Sequence, residues 1–248
     1  MAIFGTVPRR SVNLPGASIL TVFGSAVGNR LIDGPAEPAF RRAMQDWLGS
    51  PHVYCAASGR SAFQLALEAL DLAPGSEIIF PVFTFPVMPM VAKRLGYKPV
   101  FCDVDPQTFN AGPEQVAPRI TPRTSAVLAT HLFGQPCPIQ DLAELAKQND
   151  LRLMEDCAHA LGVRVGGRQV GTFGDMGIYS FAEGKNMPCF GGGAIATPHP
   201  DVAERAERLL LDAPTPGKKD VLVQAASIWV KWLLTRPSIF TLTAYPVL

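Results

Sequence analysis

The sequence holds no run of about 20 apolar residues, so no helix long enough to span a bilayer is predicted. The apolar stretches 221–230 and 232–235 are split by Lys231 and stopped by Arg236-Pro237, which makes a core or interface helix the expectation there. Attachment to a membrane surface through Trp229 and Trp232 is the lesser alternative. Arg9-Arg10 ahead of the weakly apolar 17–27 has the outline of a signal peptide. Pro15-Gly16 and the shortness of that run argue against export, and the cytoplasm is the expected location. No block of Lys or Arg occurs, and 22 basic residues against 21 acidic ones leave a net charge of +1, so nothing marks a nucleic-acid partner. The five cysteines (Cys55, Cys102, Cys137, Cys157, Cys189) include no C-x-x-C pair, and the four histidines no H-x-x-x-H, so neither a disulfide framework nor a zinc site is expected. The thiols read as small buried hydrophobes in a reducing compartment. G-x-G-x-x-G and the Walker A pattern are both missing, which removes the usual sequence marks of dinucleotide and nucleoside-triphosphate binding.

What is present is an alternation of strand and helix patterns. The 248 residues allow one large domain, or one domain and the start of another, with a core large enough to fold without a disulfide or a structural metal. Strands are predicted at 53–57, 77–80, 99–103, 125–130, 151–155, 163–170, 176–181 and 194–197. Helices are predicted at 61–70, 87–95, 139–148 and 201–211, with a short one at 113–120 whose last turn Pro118 weakens. Such alternation predicts an α/β fold around a mainly parallel central sheet, with ligands at the carboxyl ends of its strands.

Three constellations fall at predicted strand ends. Cys55-Ala56-Ala57-Ser58-Gly59-Arg60-Ser61 runs from a strand into a helix, where open backbone N–H groups and the positive end of the helix dipole suit a phosphate. Ser61 adds a hydroxyl and Arg60 a charged donor; taken alone, the same residues make a plain helix cap. In Met154-Glu155-Asp156-Cys157-Ala158-His159-Ala160, Asp156 follows an apolar strand, where a carboxylate is costly unless paired. A protonated pyridine nitrogen would serve, and a carboxylate beside such a cation raises its pKa by roughly 1–3 units. The alternatives are a helix-capping aspartate and, for His159, a satisfied core histidine. In Tyr179-Ser180-Phe181-Ala182-Glu183-Gly184-Lys185-Asn186, Lys185 lies among small and apolar residues and is followed by Phe190-Gly191-Gly192-Gly193, while Ser180 offers a further hydroxyl. A lysine in such surroundings is a candidate for the lowered pKa of a Schiff-base nucleophile; the alternative is a solvated turn lysine. Each signal is weak singly, and their order is not.

Taken together with Gly75-Ser76-Glu77-Ile78-Ile79-Phe80-Pro81, Phe83-Thr84-Phe85, Lys98-Pro99-Val100-Phe101-Cys102-Asp103-Val104-Asp105, Ile120-Thr121-Pro122-Arg123-Thr124, His131-Leu132-Phe133-Gly134-Gln135-Pro136 and Gly171-Thr172-Phe173-Gly174-Asp175, these segments resemble the DegT/DnrJ/StrS aminotransferases over about residues 30–211. The resemblance implies the type I fold of pyridoxal 5'-phosphate (PLP) enzymes, a homodimer, and transfer of an amino group, from glutamate, to a keto-sugar or related carbonyl. It implies that Lys185 carries the cofactor covalently and shuttles protons, that Asp156 pairs with the pyridinium nitrogen, and that Phe85 stacks on the ring with His159 beside it. Gly59, Arg60, Ser61 and Ser180 match the phosphate-binding positions. A relative with histidine in place of the lysine performs dehydration, so Lys185 favours transamination over a dehydratase or eliminase.

The sequence also departs from the family pattern. Position 60 is more often Thr, and the Gly-Tyr-Asn segment that reaches the partner subunit's phosphate is not visible after residue 211. The expected organisation is a cofactor-binding large domain at 1–211, with 1–30 as an arm, and at 212–248 a linker or the start of an incomplete C-terminal domain. Either the sequence is a fragment or the protein is a reduced form, and a non-enzymatic homologue is the third alternative.

Overall fold

The computed structural model describes residues 17–28, 34–189, 191–236 and 239. Most of the N-terminal arm, the Arg9-Arg10 and Pro15-Gly16 pairs, Phe190 and nearly all of the chain after 236 lie outside them. The chain forms two compact units, one of Ala39–Ser180 and Gly192–Ala213, the other of Met1–Pro38, Phe181–Gly191 and Pro214–Leu248.

In chain order the helices are α1 (Ala17–Val27), α2 (Ala36–Leu48), α3 (Gly59–Leu70), α4 (Val87–Arg94), α5 (Pro113–Val116), α6 (Ile139–Gln148), α7 (Pro200–Leu211) and α8 (Lys218–Leu234). The strands are β1 (His52–Ala56), β2 (Glu77–Pro81), β3 (Lys98–Cys102), β4 (Thr124–Thr130), β5 (Arg152–Asp156), β6 (Arg164–Val165), β7 (Arg168–Gln169), β8 (Met176–Ser180) and β9 (Gly193–Thr197). Seven of them form one sheet in the order β1-β9-β8-β5-β4-β2-β3. Neighbours from β3 to β8 pair in parallel, while β9 is antiparallel to both β8 and β1. Only β9 is therefore reversed. The carboxyl ends of the other six gather at one edge, the edge at which open α/β sheets bind ligands.

Both faces of the sheet are covered, which is why its strands read as nearly continuous apolar runs. Successive side chains alternate between faces. Ile78, Phe80, Leu128, Met154 and Ile178 pack with Ala62, Phe63 and Leu67 of α3 in one cluster. Their chain neighbours Ile79, Val127, Ala129 and Leu153 pack with Ile139, Leu142 and Ala146 of α6 in the other. Truncating a fully buried ring such as Phe63 would cost about 3–5 kcal/mol.

The expected strand at 163–170 is two short strands, β6 and β7, paired as a hairpin. Gly166 and Gly167 both take positive φ (57° and 82°), the backbone of a tight reversing turn, so periodicity ran through a bend that glycine made possible. After α5, residues Ala117–Arg119 narrow to a 3-10 turn around Pro118, as expected of a residue without an N–H. In the smaller unit, α8 forms where a helix was expected, but Ala225 and Ile228 are its only described buried residues, while Leu222, Trp229 and Leu233 are exposed. Among the described residues no helix is long and apolar enough to cross a membrane.

Candidate active site

At the junction of β1 and α3, Ser58 is in extended conformation and caps the helix, its Oγ accepting from the Ser61 N–H at 3.1 Å. The Ser58 and Ser61 hydroxyls lie 3.0 Å apart. Gly193, the first residue of β9, pairs with Ala56 on one side and with Ser180 on the other, which draws the end of β8 to this junction. The approach is close enough that only glycine fits: a Cβ on Gly59 would lie 2.8 Å from that of Ser180, and one on Gly193 would lie 2.5 Å from the Ser58 carbonyl oxygen. The first turn of a helix leaves N–H groups without partners inside the helix and carries partial positive charge. Gly59, Arg60, Ser61 and Ser180 thus meet at one corner, a cradle of N–H and hydroxyl donors that fits a phosphate.

Asp156 ends β5 and is buried, its Oδ1 accepting from the Ala158 N–H at 3.0 Å. Residues 158–162 form turns, so the aspartate caps a turn rather than a helix. In the sheet Asp156 is registered opposite Thr130 of β4. The Thr130 hydroxyl lies 3.5 Å from that of Thr84, which ties the segment before Phe85 to the end of β4, the strand next to β5. Phe85 itself is exposed. His159 stacks on Phe133, with ring centroids 5.9 Å apart and planes 18° from parallel. The row continues through Phe83, 6.1 Å from Phe133, to Phe109, 5.6 Å further. Phe83 and Phe133 carry no chemical signal in the sequence. Their signal was position, since each follows a strand at the ligand-binding edge, and Phe133 also holds a positive φ of 55°, a conformation costly for a bulky residue and found often at functional sites.

Lys185 belongs to the smaller unit, in a turn five residues past Ser180 along the chain. It is half-buried, and its N–H donates to the Ala182 carbonyl at 3.0 Å. In the same unit, Glu183 accepts from Lys231 Nζ at 3.1 Å.

Among the described residues, one group of His, Cys and acidic side chains is close enough to hold a metal: His131, Glu155 and Cys157, with candidate atoms within 4.8 Å of one another. Both ring nitrogens of His131 and both oxygens of Glu155 already take part in hydrogen bonds. Burial, with Glu155 and Asp156 nearby, pushes the Cys157 thiol well above its usual pKa, away from the thiolate that binds metals. The cluster is a hydrogen-bond network.

A model of the DegT/DnrJ/EryC1/StrS aminotransferase family matches residues 17–223. The chain belongs to this family. It is 41% identical over 150 residues to a UDP-N-acetyl-3-dehydro-alpha-D-glucosamine 3-aminotransferase of Acidithiobacillus ferrooxidans, covering 60% of this chain and 41% of that one. It is 35% identical over 228 residues to an L-glutamine:2-deoxy-scyllo-inosose aminotransferase of Streptomyces fradiae, covering 87% and 53%. The chain therefore spans about half the length of these curated relatives. Among solved structures, the aminotransferase TlmJ of Streptoalloteichus hindustanus superimposes with a TM-score of 0.80 at 29% identity, over 92% of this chain and 66% of that one. As a DegT/DnrJ/EryC1/StrS chain it has the α/β fold of the PLP-dependent aminotransferases, and PLP is the cofactor of the family. The N–H and hydroxyl donors of the Ser58–Ser61 corner suit a phosphate, and the buried acid at the end of β5 suits a cationic ring nitrogen.

Proposed function

We propose that this chain is the cofactor-binding part of a PLP-dependent aminotransferase that moves an amino group from glutamate to a keto-sugar or related carbonyl, working as a cytoplasmic homodimer. The observation that carries this reading is the sharing of one sheet edge by two features of opposite charge preference: a glycine-closed corner of N–H and hydroxyl donors and a buried carboxylate at the end of β5. The sugar substrate is supported by the names of the relatives. One of them is named for L-glutamine, so donor assays should include both amino acids.

Bound PLP supplies an electron sink for the charge left on the substrate carbon when a proton departs. The protein's residues set up that chemistry. Gly59, Arg60, Ser61 and Ser180 would hold the phosphate, anchoring one end of the cofactor through N–H and hydroxyl donors at the positive end of α3. Asp156, as the buried carboxylate at this edge, would pair with the ring nitrogen and favour its protonated form. Phe85 would pack against the ring with His159 beside it, limiting how the ring could tilt. The Lys185 amine would be the covalent attachment point for the cofactor and, when free, would carry a proton between the substrate carbon and the cofactor.

The test is uptake of PLP by the purified protein. A yellow adduct should form, borohydride should fix it to Lys185, and glutamate or glutamine should bleach it. A Lys185→Ala variant with full turnover would refute the reading. Release of water or ammonia without a keto-acid product would turn it towards elimination.

A further inference from the structure

We infer that Glu155 and His131 form a positioning pair, which holds the end of β5 so that Asp156 and the Phe133–His159 stack keep their places at the cofactor edge. The inference rests on the aminotransferase reading and adds a role for two residues that touch neither cofactor nor substrate in it. Glu155 is wholly buried. By strand alternation it shares the α6 face with Leu153, while Asp156 shares the α3 face with Met154.

Each oxygen of Glu155 accepts twice. Oε1 takes the N–H groups of Phe173 (2.6 Å) and Gly174 (2.8 Å); Oε2 takes that of Gly171 (2.7 Å) and meets His131 Nε2 at 3.2 Å. The tautomer of His131 follows from its surroundings. The Cys137 N–H donates to Nδ1 at 3.2 Å, so Nδ1 carries a lone pair and the ring proton sits on Nε2. His131 is a neutral donor, and among the described residues none of the hydrogen-bond partners of Glu155 is a cation. A buried carboxylate is costly unless every lone pair is used. Here four N–H groups from two separate loops use them, and only a carboxylate accepts from four donors at once.

The two loops flank Asp156. On one side the backbone N–H of His131 donates to the Asp156 carbonyl at 3.1 Å, tying β5 to the turn that presents Phe133 to His159. On the other, the turn at 171–174 is pressed against β5 and β8, because a Cβ on Gly171 would overlap the Tyr179 hydroxyl and one on Gly174 the Leu153 carbonyl. Loss of the shared acceptor would release both loops. The polypeptide leading to Asp156 would then be free to shift by the fraction of an ångström that separates a good contact with a ring nitrogen from a poor one.

The experiment compares Glu155→Gln with wild type in the full chain. A glutamine NH2 would face two donors whichever way it turned, so the network must break. Affinity for PLP should fall about tenfold or more, the scale seen when outer partners of metal ligands are removed. The pH at which the adduct changes colour should shift as well. In cofactor-free protein, amide exchange at Gly171, Phe173 and Gly174 should speed up. The decisive arm is Asp156→Asn: if Glu155 acts through Asp156, adding Glu155→Gln to that variant should cost less than about twofold more affinity. An equal loss in both backgrounds, or wild-type affinity and colour in Glu155→Gln, would overturn the inference. Should Glu155→Gln fail to fold, His131→Phe should weaken PLP binding and His131→Gln, which keeps a donor, should restore it. Wild-type affinity in His131→Phe would equally sink the pair. If wild type itself takes up no PLP, the aminotransferase reading falls first.

Discussion

The two edges of the central sheet treat their acids in opposite ways. At the amino-terminal edge Glu77, nearly buried, accepts from Lys98 at 3.0 Å, from Arg123 at 2.8 Å and from the Thr121 hydroxyl at 2.6 Å. At the same edge, ahead of β8, Asp175 takes Arg152 at 2.7 Å, His199 at 3.0 Å and the Leu153 N–H at 2.8 Å. Cations from neighbouring strands close this edge electrostatically. At the carboxyl-terminal edge Glu155 is held by N–H groups of neutral residues, and a row of aromatic rings stands open beside Asp156. Charge that is cancelled within the chain serves stability. An acid wrapped in dipoles, as Glu155 is, fits the proposal that this edge serves a ligand.

Four substitutions would sharpen or break that contrast. Lys185→Ala has the largest expected effect, loss of the borohydride-fixable adduct altogether, read by mass spectrometry of the fixed protein. Asp156→Asn comes next: without the carboxylate, the pH at which the bound ring loses its proton should fall by about 1–3 units, followed by absorbance titration. Its melting temperature should change little, and a large drop would place Asp156 with the structural acids instead. Glu77→Gln should do the reverse, leaving PLP affinity intact while lowering stability. The hydrogen bonds from Thr121, Arg123 and Lys98 hold Glu77 down at about 2 from an ordinary 4.5. A depressed folded-state pKa gives stability that is present above the unfolded value and lost as pH falls towards about 2. Thermal melts of wild type should therefore weaken between those pH values, and the variant should show a shallower decline. Lys98→Ala, which removes a mostly exposed partner, should lower the melting temperature by about 2 °C or less.

Much of this organisation is legible in the residues. Helix α6 runs over the predicted 139–148 because its apolar spacing is regular and Pro138 stands at its start. The cradle was legible as a strand–Ser–Gly–helix junction, and Asp156 as an acid at the end of an apolar run. Glu155 was not legible as an anchor, since three of its four partners are backbone N–H groups 16 to 19 residues away that no side-chain pattern advertises. The hairpin at 164–169 was hidden for a similar reason, because a turn at two glycines leaves the residues around it looking like one strand.

By itself, then, the order of residues determined the alternation of strand and helix, the family, and the kinds of group offered at each strand end, because these depend on local periodicity and on which side chain occupies which place. The tertiary structure alone decided that Ser180 meets Gly59, that Phe133 lies on His159, and that His131 carries its proton on Nε2. Each of those depends on sheet register and on hydrogen bonds between segments distant in the chain, and no local pattern contains them.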